Sequence, residues 1–475
     1  MGSSSIQAQS LNKLKLSPTI GALGAFFLLG VLEFKNGLYL FICLAALYVM
    51  VALLFRNNRP GMIVFAFALQ WVQVITYVIW MNSFNRDINF YSHHADVAII
   101  CACIGLVVIA LVFNLTVNKI PLPDHKEFAK EAKAFDEKKL LIVYSTATLF
   151  LGGLQYALGE NSGFAQILGT LASLKWIFFM IYGYTCWANK KNWPIFAIMV
   201  LFEFTTSLYS YFSNFKEVIL MAIAMGISLV RTISFKQVVL GLLAGAVLVF
   251  IFIGWTAIKS DYRNYLNQGK GQQVVEVSRS EALSKIGEKV STLTWDDLQF
   301  ASYMLMYRLQ YILHLGKSMD RVPDVLPYED GNLWWENITY VLEPRLLFPN
   351  KPIYDATIKT VKYTGIRYSG RKAGSSFSLG YFADSYIDFG FTGMFFPLAI
   401  IGLVLGGIYR LFMRMKNISV LFRYTIVNVV FYEFSVFEAD GLYLFGRLVL
   451  LTLVYFILAK TVFPRLQSWL YKEGS

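Results

Sequence analysis

The residues able to do chemistry crowd into one stretch of this 475-residue chain. Between 345 and 372 lie Arg345, Lys351, Lys359, Lys362, Arg367, Arg371 and Lys372, against the single acid Asp355. Guanidinium forks match phosphate oxygens bidentately, so this concentration suits a lipid diphosphate. The alternative is a basic face resting on anionic headgroups. Gly365, Gly370, Gly374 and Gly380 punctuate the segment, as a loop that closes over substrate requires. Asp384 and Asp388 follow in Tyr381-Phe382-Ala383-Asp384-Ser385-Tyr386-Ile387-Asp388. Carboxylates four residues apart share one helical face, and one of them could take a proton from an acceptor hydroxyl. Pairing with the arginines of the cluster is the competing role.

These residues sit in a membrane protein. The chain is 56% hydrophobic and 15% charged, against roughly 25% charge in soluble domains. About twelve apolar runs match the ~20 residues that cross a bilayer: 17–34, 38–55, 62–81, 97–117, 140–158, 166–188, 195–212, 217–230, 237–257, 391–412, 418–437 and 446–464. The predicted fold is therefore an all-α polytopic bundle in three parts. Residues 1–257 hold about nine helices, 258–390 form one large loop, and 391–475 hold about three helices. Alternate connections collect the positive charge: Lys13 and Lys15, Arg56 and Arg59, Lys119 to Lys139, Lys190 and Lys191, Arg231 and Lys236, Arg410 to Lys416, and Lys472. The opposite short loops hold only Lys35, Arg86, Lys216 and Arg447. The positive-inside rule then places both termini in the cytoplasm and the large loop outside. Within that loop, 280–293 reads as an amphipathic helix on the membrane surface, and 298–316 as a helix packed on the bundle. Residues 118–139 read as a solvated cytoplasmic helix or linker.

Two charges fall inside apolar runs. Lys175 and Glu203 each lie about eight residues from the outer end of adjacent helices, roughly 12 Å deep. Isolated charges in lipid are costly, so the two are expected to pair, or to form a polar wall of a substrate cavity. Cys43, Cys101, Cys103 and Cys186 have no metal or redox spacing and read as packing residues. His93, His94 and Asp96 lack a further metal ligand. His314 reads as a packing residue rather than a base.

The chain resembles the bacterial oligosaccharide repeat-unit polymerases of the Wzy type, the O-antigen polymerase group. The likeness rests on topology and on four stretches: Ser213-Asn214-Phe215-Lys216-Glu217, Tyr262-Arg263, Pro344-Arg345-Leu346-Leu347-Phe348-Pro349-Asn350-Lys351-Pro352, and Asp384 to Gly393. The family pattern often has Glu and Asn where this chain has Asp384 and Asp388. The resemblance implies a GT-C-like glycosyltransferase of the bacterial inner membrane. It would join undecaprenyl-diphosphate-linked oligosaccharide repeat units, donor and acceptor, into an O-antigen, capsule or exopolysaccharide. It implies no cofactor and no nucleic acid. Its partners would be membrane lipids and a chain-length-regulating co-polymerase. The absence of an Asp-x-Asp motif in the loop agrees with a metal-independent reaction. The implied roles put Arg345 and Asp384 or Asp388 at the chemistry. Lys216, Arg263, Arg308, Lys351, Arg367, Arg371 and Arg447 would hold substrate, and Tyr354, Tyr363, Tyr368, Trp334 and Trp335 would stack on sugars. An O-antigen ligase and a lipid-linked oligosaccharide flippase are the alternatives.

Overall fold

The computed structural model describes residues 30, 33–56, 58–154, 165–209, 214–231, 235–269, 275–343, 348, 351, 354–368 and 376–472. The run predicted at 17–34 lies almost wholly outside them, and Arg345, Arg371 and Lys372 lie outside them too. Among the described residues all regular structure is helical apart from one isolated bridge, Phe135 to Tyr471. The first part comprises α1 (Gly37–Leu54), α2 (Gly61–Ser83), α3 (Ala95–Val117), α4 (His125–Ala134), α5 (Glu137–Thr146), α6 (Ala165–Ala172), α7 (Leu174–Asn189), α8 (Trp193–Leu208), α9 (Lys216–Leu229) and α10 (Phe235–Leu266). The insert comprises α11 (Arg279–Ser291), α12 (Trp295–Leu309), α13 (Ile312–Met319), α14 (Asn332–Leu342), α15 (Ala356–Thr364) and α16 (Tyr381–Gly393). The last part comprises α17 (Phe395–Met413), α18 (Val420–Tyr432), α19 (Gly441–Thr461) and α20 (Phe463–Leu470).

Seven helical segments among the described residues are long and apolar enough to cross a membrane: α1, α2, α3, Ile167–Asn189, Val239–Leu266, α17 and α19. Three predicted spans are shorter. α8 has 16 residues, α9 has 14 and α18 has 13. At 1.5 Å per residue α18 is about 20 Å long, short of the ~30 Å hydrocarbon core. It is buried almost throughout and packs on α2, α7 and α17. Its apolar composition therefore answers to protein neighbours rather than to lipid.

Close approach of α17 to α3 fixes the other side of the bundle. A Cβ on Gly402 would stand 2.7 Å from the Ile109 carbonyl, and one on Gly406 2.6 Å from Thr116 Cβ. Small residues four apart permit backbone contact of this kind between membrane helices.

Two sequence boundaries move. α10 does not end at 257. Ile258, Tyr262 and Leu266 continue one buried stripe at i, i+4 and i+8, and the last two meet Ala282 of α11, so packing carries the helix onward. Arg263 thus stands on a helix rather than at the start of a loop. Of the two readings of 118–139, helix or linker, the helix is what forms: α4 and the start of α5 expose Lys126, Lys130, Lys133 and Lys138 on one side and dock the other on the bundle. Phe128 and Ala132 are buried, Glu131 accepts the Val420 N–H that opens α18 (3.1 Å), and the Lys472 N–H donates to the Ala134 carbonyl (2.9 Å).

Within the insert, the two expected helices form, the second with a break. α11 starts at a capping box of Ser278 and Glu281. The 298–316 helix divides at Gln310 into α12 and α13. Gln310 leaves helical geometry, and the Tyr311 N–H turns to the Gln73 carbonyl at 3.3 Å.

Candidate functional site

Asp384 and Asp388 do lie on one helix, α16, but each is committed to a structural bond. Asp388 Oδ1 and Oδ2 accept the Leu333 and Trp334 N–H groups at 3.1 and 2.8 Å. It therefore caps the first turn of α14 from a neighbouring helix, satisfying donors that no helix can satisfy itself. Burial pushes its pKa up to about 6, while the two N–H donors pull it down.

Asp384 is completely buried. Lys359 Nζ stands 2.9 Å from Oδ1. Oδ2 accepts the Gly441 N–H at 2.9 Å and the Asn337 amide at 3.3 Å. Lys359 also lies 3.4 Å from Asp440, and Tyr354 donates its hydroxyl to Asp440. Burial disfavours a charge on Lys359, but Asp384 and Asp440 together outweigh it and hold the ammonium protonated. Asp440 is also the N-cap of α19, accepting the Tyr443 N–H at 3.0 Å. This cluster ties α14, α15 and α16 of the insert to the start of α19. Lys359 thereby leaves the exposed basic cluster that the sequence suggests.

A different cationic site forms between α10 and α12. A cleft of about 460 Å³ is lined by Lys259, Arg263 and Arg308, with Asp297 the single carboxylate among its lining residues. Asp297 is held in its own helix cap, where Oδ2 accepts the Thr294 N–H and hydroxyl at 3.0 and 2.7 Å. Lys216, at the first turn of α9, is within electrostatic reach of Lys259. The volume falls in the usual ~300–1,000 Å³ range of ligand sites.

Glu438 borders this cationic group, in the turn between α18 and α19. Gln73 on α2 holds that turn from both ends of its amide. Gln73 Nε2 donates to Glu438 Oε2 at 2.9 Å, and Oε1 accepts the Phe437 N–H at 2.7 Å. Burial pushes the Glu438 carboxyl up, opposed by Lys216, the Gln73 bond and Arg308. Its side chain is half-buried, unlike Asp384 and Asp388.

The other predicted residues are scattered. Lys351 donates to the Tyr340 and Glu343 carbonyls, the latter at 2.7 Å, and stands over the Tyr340 ring. Arg367 is exposed. Arg447 stands on α19 beside Tyr443 and within reach of Glu433 and Glu217. Of the five aromatics assigned to sugars, Trp335 is exposed. Tyr354, Tyr363, Tyr368 and Trp334 hold intramolecular partners: Asp440, Glu329, His314 and Ser385. His314 is stacked against Tyr311 and Tyr368, and burial pushes its pKa down to about 4. Lys175 and Glu203 pair at 2.6 Å, with the Tyr144 hydroxyl donating to the same carboxylate at 2.8 Å. The four cysteines are buried and free. His94 pairs with Asp320 at 3.0 Å.

Lys259, Asp440 and Glu438 are absent from the sequence-derived site. A signal existed for the last two: three acids, Glu433, Glu438 and Asp440, fall within eight residues between apolar helices.

A family described as a domain of unknown function, DUF8712, matches residues 70–415, a span from the middle of α2 to just past α17. No curated protein and no solved structure matches the chain.

Proposed function

We propose that this chain, which belongs to the DUF8712 family, is a membrane glycosyltransferase that polymerises lipid-linked oligosaccharide. In this reading about twelve helices cross the bacterial inner membrane in a GT-C-like arrangement. Both termini are cytoplasmic and the insert faces outward. The substrates are undecaprenyl-diphosphate-linked repeat units, and the product is a surface polysaccharide.

One observation carries the reading. Two of the cations the sequence singles out, Arg263 and Arg308, line one cleft with Lys259, and a third, Lys216, lies within electrostatic reach of Lys259, so cations from three helices meet there. A diphosphate leaving group develops negative charge as its bond to the sugar breaks, and fixed cations placed there stabilise that charge. The cleft opens beside α10, whose residues 239–250 are largely exposed and apolar, so a lipid tail has apolar helix surface to lie against.

The test has two arms. Deletion of the gene in its host should abolish long surface glycan while single repeats remain. Loss of all surface glycan with lipid-linked chains accumulating would show a ligase, and repeat units stranded on the cytoplasmic side a flippase. Independently, Arg308→Ala in purified full-length protein should weaken binding of undecaprenyl diphosphate roughly 10- to 100-fold, since a hydrogen bond to a charged group contributes about 1.5–3 kcal/mol. Unchanged binding would remove the cleft from the site.

A further inference from the structure

We propose that Glu438 is the general base that deprotonates the acceptor hydroxyl, a role that rests on the polymerase reading above. The argument begins with exclusion. Asp384 and Asp388 expose almost no surface and spend their carboxylates on Lys359, Asn337 and three backbone N–H groups. A base must reach its proton directly or through one water, and neither carboxylate can do so without dismantling the fold around it.

Glu438 has the features the aspartates lack. Its side chain is partly exposed, where those of Asp384 and Asp388 are sealed. It stands within electrostatic reach of both Lys216 and Arg308, so a sugar whose diphosphate occupies the cationic cleft would present its anomeric carbon nearby. Its orientation is fixed by a second group, since Gln73 holds Oε2 and, through the Phe437 N–H, the backbone next to it. A reactive group oriented by a third residue is the recurring design of activated sites. Gln73 is thereby a positioning residue. Burial also raises the affinity of Glu438 for a proton, which brings a carboxylate closer to the basicity the step needs.

The step balances without a further reagent. The acceptor hydroxyl oxygen forms a bond to the donor anomeric carbon. Its proton passes to the Glu438 carboxylate. The bond from the anomeric carbon to the diphosphate breaks, and the electron pair leaves with the diphosphate, whose charge faces Lys259, Arg263 and Arg308.

The experiment compares wild type, Glu438→Gln and Gln73→Met as full-length chains in the deletion strain. Glycan length is read on a ladder, and binding of undecaprenyl diphosphate is measured on the purified proteins. Loss of a general base slows a reaction roughly 100- to 10,000-fold. Glu438→Gln should therefore accumulate and bind undecaprenyl diphosphate within about threefold of wild type, yet leave single repeats unpolymerised. A normal ladder from Glu438→Gln overturns the assignment and leaves the polymerase reading standing. A wild-type chain that neither restores the ladder nor binds undecaprenyl diphosphate overturns both. Should Glu438→Gln fail to accumulate, Gln73→Met decides, because it keeps the carboxylate and frees its orientation. Polymerisation slowed tenfold or more with binding unchanged supports the role, and an unchanged rate overturns it.

Discussion

Lys175 and Glu203 show how strongly a low dielectric dictates a partner. Glu203 is 1% exposed, and an ionised carboxylate at such a place needs a counter-charge and donors for its remaining lone pairs. Lys175 supplies the first at 2.6 Å and Tyr144 the second at 2.8 Å. Replacing Lys175 or Glu203 alone should cost about 3–5 kcal/mol, because the remaining charge is stranded. The double change Lys175→Met with Glu203→Leu should recover most of that. It leaves the Tyr144 hydroxyl unpaired, worth about 1–3 kcal/mol, so adding Tyr144→Phe should recover the rest. Thermal melting of the detergent-solubilised protein reads the series. A double variant no more stable than the singles would mean that the pair does not hold charge against charge.

At the scale of elements, one of the buried points joining the insert to the bundle is ionic. Lys359 of α15 reaches Asp384 of α16 and Asp440 at the head of α19. The same α19 carries Arg447 two turns on, and the turn before it carries Glu438. Lys359→Met removes the one cation shared by two buried carboxylates, and the loss should be several kcal/mol. Amide hydrogen exchange should show α15 losing protection while α3 and α17, which pack on each other through Gly402 and Gly406, keep theirs. Equal protection of α15 in the variant and wild type would show this ionic point to be idle. The membrane part of α10 behaves differently. Its C-terminal part packs on α11 and α12 of the insert, while residues 239–250 are largely exposed; Phe252 and Trp255 between them pack on Phe215 at the head of α9.

Over the whole molecule, the proposed topology divides the connections between two ends. Arg56, Arg59, the lysines of α4 and α5, Lys190 and Lys191 fall on alternate connections. The insert and the α18–α19 turn meet at the other end, where Gln73, Glu438, Asp440 and Lys359 are found. The proposed orientation makes an accessible contrast. A cysteine in place of the exposed Trp335 should react with an impermeant thiol reagent on sealed spheroplasts. One in place of Lys130 should react only after the membrane is opened. The native cysteines are buried and should give a low background. Labelling of position 130 in sealed cells would invert the topology, and with it the face on which the cleft works.

Much of this architecture is local in origin and was readable from the chain. Helix positions follow from apolar runs, because each run satisfies its own backbone bonds and hides its side chains in lipid or protein. The α1 to α3, α17 and α19 boundaries fall within a few residues of those runs. The Lys175–Glu203 pair follows from the same physics, since a lone charge at that depth has no alternative to a partner on the adjacent helix. The helical face shared by Asp384 and Asp388 follows from spacing. What the two aspartates do was decided only by tertiary structure. Their spacing says nothing of Lys359, of the Gly441 N–H or of the open end of α14, which arrive from 20 to 60 residues away in sequence. The same holds for the cleft. Lys259 and Arg263 share one face of α10 at i and i+4, but Lys216 and Arg308 come from α9 and α12, and no local pattern brings those to α10. Whether a carboxylate is bound or open to substrate depends on long-range packing, and that is what separates Asp384, sealed against Lys359, from Glu438, held by Gln73 at the edge of the cationic group.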